Sequence, residues 1–254
     1  MPYEYLIVRK EGGIATITLN RPQVMNALNP ALLVELKTAI GELAKDKNVA
    51  VLVLTGAGRA FSSGADLVSQ GETNLENGRI GRVFDEAANG VIEAIQEAPK
   101  VVIAMVNGHC YTGALEIVLA CDLIVASEEA RFGDTHVRWG IRPSWGMSQR
   151  LPQAVGWLKA KELSFTSEVI TANEAEKIGL VNITVAAEKL EDTAKELAGK
   201  IMANSLEAVS AYKVLYNRTM LDNMEKGLEL EKKSEFIITD TGSRISAFRQ
   251  KKPK

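Results

Sequence analysis

Apolar residues follow two distinct patterns along the chain. Three short runs are apolar almost throughout, which is typical of strands buried on both faces of a parallel sheet; they cover residues 49–56 (VAVLVLTG), 101–108 (VVIAMVNG) and 122–127 (DLIVAS). Between and after these runs, apolar residues recur at the spacing of a helix. The alternation of buried strands with helices predicts an α/β fold.

The N-terminal segment predicts a β-hairpin followed by a helix. Residues 3–10 and 14–20 are rich in β-forming residues and are separated by Glu-Gly-Gly, a typical turn sequence. Asn29 and Pro30 have the residue types that favour a helix cap and a first helical turn. Apolar residues then follow at helical spacing, namely Leu32, Leu33, Leu36, Ile40 and Leu43.

The rest of the chain predicts further helices, one more strand and a loop. Residues 67–80 are polar and lack periodicity, so we expect a mobile loop that leads into a helix over about 81–96. The segment MSQRLPQAVG predicts a helix, and TANEAEKIGLVNITV predicts a helix followed by a strand. From about residue 186 onward the pattern is helical only, over residues 186–203, 205–220 and 223–237. We therefore predict a core over residues 1–195 and a helical region over 196–254 that packs on the core and on neighbouring subunits.

Size and composition fit one large domain, alone or with a helical appendage. The chain has 254 residues, of which 46% are hydrophobic and 24% charged, which is ample for a sizeable core. Its formal net charge is -2, so no basic field marks it as a nucleic-acid-binding protein. With two histidines and two cysteines and no Cys-x-x-Cys pair, the chain predicts no metal site.

The sequence also predicts a cytoplasmic protein that does not associate with membranes. No apolar run approaches the roughly 20 residues that cross a bilayer. The N-terminal residues MPYEYLIVRKEGG lack the apolar stretch of a secretory signal.

Two predicted strand-to-helix bends carry glycine beside small residues. They are SSGAD (62–66), expected after the buried strand that ends at Leu54, and TGALE (112–116), expected after the buried strand that ends at Val106. Each taken singly is explained as a tight turn. Free N–H groups at such bends favour negative charge, and two bends side by side could direct two N–H groups at one oxygen. That arrangement is an oxyanion hole.

Glu116 is the one carboxylate inside the apolar stretch GHCYTGALEIVLAC. Burying an unpaired carboxylate costs on the order of several kcal/mol unless other groups compensate it. The residue therefore needs either a compensating partner or a chemical use.

Several segments together resemble the crotonase (enoyl-CoA hydratase/isomerase) superfamily. They occur in matching order and spacing up to about residue 185: NRPQVMNALN, LTGAGRAFSSGADL, VNGHCYTGALEIVLACDLIVASEEARFG, RLPQAVG and ITANEAEKIGLV. The resemblance implies a spiral of ββα units with a C-terminal helical trimerisation region, assembled as a homotrimer or a dimer of trimers. It also implies an acyl-CoA thioester substrate and no separate cofactor, since coenzyme A is part of the substrate.

The resemblance assigns roles to individual residues. The backbone N–H groups of Ala65 and Gly113 would form the oxyanion hole, and Glu116 matches the first of the family's two hydratase glutamates. The residues expected to bind the substrate are Val24, Met25, Ala27, Ser63, Asp66 and Leu67.

The chain departs from the family pattern where the second hydratase glutamate is expected. The segment reads FGDTHVRWG, so His136 occupies that position, and the family's PGxGG motif reads PSWGM. A neutral His136 could act as an acid or base at neutral pH, with Asp134 orienting it, or it could be a polar residue of structural role. Ser144 stands where the family motif has glycine, and this difference could disturb a backbone N–H that positions the catalytic water.

These features predict an enoyl-CoA hydratase that adds water to a 2-enoyl-CoA thioester, with Glu116 as base and His136 as acid. An enoyl-CoA isomerase or a C–C bond hydrolase using the same two residues is the alternative within the superfamily. A non-enzymatic protein that binds RNA or acts as a scaffold is the alternative outside it, against which the absence of a basic patch argues. The acyl chain length and the pathway, such as fatty acid metabolism, stay open.

Overall fold

A computed structural model describes residues 3–67, 78 and 80–219 of the chain. The predicted helix over 223–237 and most of the predicted loop over 67–80 lie outside the described residues. The strands are β1 (Leu6–Glu11), β2 (Ile14–Leu19), β3 (Val51–Gly56), β4 (Ala60–Ser62), β5 (Val101–Val106), β6 (His109–Tyr111), β7 (Leu123–Ser127), β8 (Arg131–Gly133), β9 (Val169–Thr171) and β10 (Ile183–Val185).

The α-helices of the described part of the chain lie between and after these strands. They are α1 (Pro30–Lys45), α2 (Arg82–Glu97), α3 (Gly113–Val118), α4 (Met147–Val155), α5 (Trp157–Thr166), α6 (Ala172–Lys177), α7 (Leu190–Met202) and α8 (Leu206–Thr219). Among these helices, none is both long and apolar enough to span a bilayer.

The strands form two sheets, and each repeating unit of the chain contributes one strand to each sheet. The larger sheet has the order β1-β2-β3-β5-β7-β10 and is parallel except for the β1–β2 hairpin. The smaller sheet has the order β4-β6-β8-β9. A strand of the larger sheet is followed by a strand of the smaller one and then by a helix, as in β3-β4-α2 and β5-β6-α3. The chain is therefore a series of ββα units, as predicted.

The continuous apolar runs are buried on both faces, which confirms their interpretation as central strands. On β3, Leu52 and Leu54 face the main core, whereas Val51 and Val53 face a second apolar cluster. Helix α7 covers that second cluster with Leu190, Ala194 and Ala198. The predicted boundary at residue 195 falls inside this helix.

The hairpin and the first helix also agree with the sequence. The side chain of Asn29 accepts a hydrogen bond from the Leu32 amide at 2.8 Å, so it caps α1, and Pro30 occupies the first turn. Leu32, Leu33 and Leu36 are fully buried. Helix α1 therefore buries the face that the spacing of its apolar residues predicted.

The pattern of apolar residues did not predict the strands of the smaller sheet, although the family resemblance implied ββα units. Each of its strands has only three residues, which is too short to show an alternating pattern. Its presence corrects the position of the two bends: they follow β4 and β6 rather than the long buried strands. Because β4 and β6 are parallel neighbours, the smaller sheet brings the two bends together.

Lys213 of α8 is a buried cation that ties the C-terminal part of the described chain to the core. Its Nζ donates to the carbonyl oxygens of Ile95 and Lys100 at 2.8 and 3.0 Å and to Asp122 Oδ2 at 2.7 Å. Only 4% of the Lys213 side chain is exposed. Burial raises the pKa of Asp122, and Lys213 offsets part of that increase.

We expect Lys213→Met to lower the free energy of unfolding by about 3 kcal/mol, because it leaves the partly buried Asp122 carboxylate without its cation. Urea unfolding measures this change. Lys195→Met is the matched control, since the ion pairs of Lys195 within the described residues, to Glu11 and Glu191, are solvent-exposed; this variant should change stability by less than about 1 kcal/mol. Equal changes in the free energy of unfolding for the two variants would show that the buried Lys213 contacts do not stabilise the fold.

Candidate active site

The two glycine-containing bends are in direct contact. A side-chain carbon on Gly64 would lie 2.8 Å from the Tyr111 carbonyl oxygen and 3.4 Å from the Gly113 nitrogen. Gly64 also has φ +91°, a left-handed conformation that a side chain would disfavour. Only glycine therefore permits this approach of the first bend to the second.

The backbone N–H groups of Ala65 and Gly113 have no acceptor among the described residues. Leu28 pairs with the first bend on both sides of Ala65: its amide donates to the Gly64 carbonyl and its carbonyl accepts from the Asp66 amide, both at 2.8 Å. This pairing directs the Ala65 N–H away from Leu28. Ala65 and Gly113 line the same cavity, so both bends border one space.

Thr112 sets the orientation of the peptide that carries the Gly113 N–H. Its backbone has φ 53° and ψ -113°, which is strained for a β-branched residue. Its hydroxyl shares a 2.6 Å hydrogen bond with that of Thr135, the residue before His136. The second bend is thereby linked to the segment that carries the histidine.

Glu116 lies in the first turn of α3 and is 1% exposed. Its Oε1 accepts hydrogen bonds from the backbone amides of Trp145 and Met147, at 2.9 and 3.0 Å. These two donors, together with His136 near Oε2, compensate the buried carboxylate. The compensation that the sequence left unidentified thus comes largely from the PSWGM segment.

His136 lies between two carboxylates. Its Nε2 is 3.5 Å from Glu116 Oε2, and its Nδ1 is 2.6 Å from Asp134 Oδ1. The other oxygen of Asp134 accepts a hydrogen bond from Ser164 of α5 at 2.6 Å. The bent backbone that an Asp134–His136 contact requires is present, because a short 3-10 helix begins at His136.

The charge state of His136 differs from the neutral form expected from the sequence. Burial alone would lower the pKa of the imidazole, but hydrogen bonds and charges from Asp134 and Glu116 raise it from 6.5 to about 9. Burial would raise the pKa of Asp134, whereas hydrogen bonds from His136 and Ser164 hold it below its ordinary value. His136 is therefore a cation at neutral pH.

The PSWGM segment keeps its backbone donors although two of its residues differ from the family's PGxGG motif. Ser144 lines the cavity, and its backbone N–H has no acceptor among the described residues. Its hydroxyl instead donates to Asp85 of α2 at 2.6 Å, and the Trp145 indole Nε1 donates to the same oxygen at 2.9 Å. Asp85 has no sequence signal, since its helix pattern only predicts an exposed or partly buried polar position.

A cavity of about 50 Å³ joins these groups. Glu116, His136, Ala65 and Gly113 all border it, and its apolar lining comes from Leu67, Ile80, Trp139, Ile141 and Trp145. The four residues predicted to form the acid/base pair and the oxyanion hole therefore meet at one place.

The predicted substrate-binding residues divide into two groups. Ser63 and Leu67 line the cavity, whereas Val24, Met25, Ala27 and Asp66 do not. Asp66 is buried and pairs with Arg21 at 2.9 Å.

The ββα units and the paired bends beside a buried carboxylate define a protein of the crotonase fold. The family model described as enoyl-CoA hydratase/isomerase matches residues 9–250. The chain belongs to this family.

Relatives cover almost the whole chain. A short-chain-enoyl-CoA hydratase of Clostridium acetobutylicum is 40% identical over 256 residues, which span 99% of this chain and 97% of the relative. A crotonyl-CoA hydratase of Syntrophomonas wolfei is 36% identical over 257 residues, with coverage of 99% and 97%. The crystal structure of an enoyl-CoA hydratase from Bacillus anthracis superposes with a TM-score of 0.90 at 33% identity, covering 98% of this chain and 97% of that one.

Proposed function

We propose that the protein is an enoyl-CoA hydratase that adds water across the double bond of a 2-enoyl-CoA thioester. The observation that carries the proposal is the position of the Glu116–His136 pair in the cavity that the Ala65 and Gly113 amides also border. Similarity to proteins named enoyl-CoA and crotonyl-CoA hydratases supports the same reaction.

The Ala65 and Gly113 amides would bind the thioester oxygen. When water adds to the β-carbon, negative charge develops on that oxygen, so donors aimed at it stabilise the transition state more than the ground state. Loss of one such donor typically costs about 10²–10³ in rate. Two amides that have no acceptor in the described part of the chain suit this role.

Glu116 would accept a proton from the attacking water, and His136 would protonate the α-carbon of the enolate. The raised pKa of His136, about 9, leaves its Nε2 protonated at neutral pH, which suits an acid. After one turnover Glu116 carries the extra proton and His136 lacks one. Because Oε2 and Nε2 are 3.5 Å apart, a small movement lets the proton pass directly between them and restores the starting state.

A panel of 2-enoyl-CoA esters incubated with the purified protein tests the reaction. Hydration adds the mass of one water to the CoA ester. Isomerisation leaves the mass unchanged, and C–C bond hydrolysis of a diketone requires no CoA. Recovery of unchanged ester, or of an isomer alone, would contradict the proposal.

The pH dependence provides a separate test of His136 as the acid. We expect kcat/KM to fall about tenfold per pH unit above pH 9, because the imidazole loses its proton there. The stability that the His136 cation contributes should also be complete below about pH 6.5 and be lost as the pH rises through about 9.

His109→Gln is the matched control, because His109 bonds to Tyr111 outside the cavity. This variant should keep the alkaline decrease, whereas His136→Gln should be slower and lose it. A decrease that persists unchanged in His136→Gln would assign the titration to another group.

The CoA portion of the substrate would leave the cavity past Ser63 and Leu67. The Ser63 amide donates to the Met25 carbonyl at 3.0 Å, which supports a CoA path that also runs beside Val24, Met25 and Ala27. Val24 and Leu67 are each 41% exposed. Asp66 would act indirectly, by holding Arg21 and the first bend.

A homotrimer or a dimer of trimers is the assembly that we propose. Large apolar side chains are exposed on α5 and α8, among them Leu158, Phe165, Tyr212 and Tyr216. Such surfaces favour contacts between subunits. Light scattering coupled to size-exclusion chromatography measures the mass, and a monomer would contradict this assembly.

A further inference from the structure

The indole of Trp145 forms a buried wall of the cavity directly against the second bend. Trp145 is 3% exposed. A side-chain carbon on Gly113 would lie only 2.3 Å from its Cζ3 atom. The ring therefore packs against the Gly113 backbone, next to the amide assigned to the thioester oxygen.

Hydrogen bonds at both ends hold Trp145 in place. Its Nε1 donates to Asp85 of α2, its backbone amide donates to Glu116, and its carbonyl accepts from Arg150 at 3.0 Å. The Ser144 hydroxyl also donates to Asp85. Rotation of the indole away from the cavity would break the Asp85 contact, so the wall is fixed.

The space that remains beside this wall is small. Each water molecule needs about 10–15 Å³ of cavity volume, counted as the space open to its centre. A cavity of 50 Å³ therefore holds roughly four waters. The thioester carbonyl, the double bond and the attacking water would use most of it. Of the two indoles that line this space, Trp145 is 3% exposed and Trp139 is 61% exposed, so Trp145 is the inner wall that further acyl carbons would meet.

We propose that Trp145, held by Asp85, is the residue that limits acyl chain length and restricts the enzyme to short 2-enoyl groups. This inference rests on the proposed function, because it takes the cavity as the acyl site. One methylene that a pocket cannot accommodate changes kcat/KM by about 10–200-fold. Several such methylenes should exclude a medium-length chain.

Steady-state kinetics with crotonyl-CoA and 2-octenoyl-CoA test the proposal. We expect wild-type kcat/KM to be at least ~100-fold lower for the longer ester. Trp145→Ala should raise the ratio of octenoyl to crotonyl kcat/KM by ~100-fold or more, and Trp145→Phe should raise it less. Trp157→Ala, at a 65% exposed tryptophan that does not line the cavity, should leave the ratio unchanged.

Binding of saturated esters separates this inference from the proposed reaction. Calorimetry with butanoyl-CoA and octanoyl-CoA needs no turnover, and Trp145→Phe carries the comparison if Trp145→Ala does not fold. We expect the wild type to bind butanoyl-CoA more tightly and the variant to lose that preference. Equal binding or turnover of both lengths by the wild type, or an unchanged ratio in the Trp145 variants, would overturn the role of Trp145. An enzyme inactive on every ester but selective in binding would overturn only the hydratase proposal.

Discussion

Glu116→Gln is expected to lower kcat for hydration by about 10²–10⁴-fold, the contribution of a positioned acid or base. The fold should survive the change. Glu116 Oε1 accepts both the Trp145 and the Met147 amide, and the oxygen of a glutamine can accept the same two hydrogen bonds. The glutamine NH2 then replaces Oε2, the atom that faces His136.

That replacement removes the base and also changes the histidine. A neutral amide can neither accept the proton of the attacking water nor stabilise the His136 cation. The alkaline decrease in kcat/KM should therefore begin at a lower pH in Glu116→Gln, because one of the two carboxylates that raise the pKa of His136 is gone.

Stopped-flow loss of enoyl absorbance measures the rate, and thermal unfolding monitors the fold. Glu196→Gln, an exposed carboxylate on α7, is the control and should behave as wild type. A Glu116→Gln enzyme that turns over at the wild-type rate would show that Glu116 is not the base.

Much of the scaffold could be predicted from local pattern because burial leaves a direct trace in the sequence. Residues 51–56 and 101–106 are buried throughout, and unbroken apolar runs indicate this. Asn29 and Pro30 marked the start of α1 because helix caps depend on adjacent residues. The three-residue strands of the smaller sheet leave no such trace, although they set the distance between the bends.

The candidate site likewise has features that the sequence predicts and features that it does not. Glu116 was conspicuous because a carboxylate in an apolar run requires an explanation. Its partners were not, since two of them are backbone amides of Trp145 and Met147, and a backbone group has no residue-type signature. The charge of His136 was predicted wrongly for a related reason: it depends on two carboxylates, and the Glu116 contact is set by tertiary structure.

Gly113→Ala is expected to reduce kcat/KM by about 10²–10³-fold, the cost of losing one oxyanion donor. The added methyl would lie 2.3 Å from Trp145 Cζ3 and 2.9 Å from Cε3, and the indole cannot retreat without breaking its bond to Asp85. The bend must therefore shift and take its N–H with it. Overpacking of this kind should also lower the free energy of unfolding by about 1–3 kcal/mol.

The double variant Gly113→Ala/Trp145→Ala distinguishes the clash from any intrinsic need for glycine at position 113. Removing the indole makes room for the methyl, so the double variant should be more active on crotonyl-CoA than Gly113→Ala alone, with a coupling energy above about 1 kcal/mol. Gly41→Ala is the control, because a side-chain carbon there meets nothing within 4 Å and alanine should stabilise the interior of α1 by about 0.5–1 kcal/mol. Wild-type activity in Gly113→Ala would mean that the Gly113 amide does not hold the thioester oxygen. Loss of activity that the second substitution does not relieve would mean that the indole is not what constrains the bend.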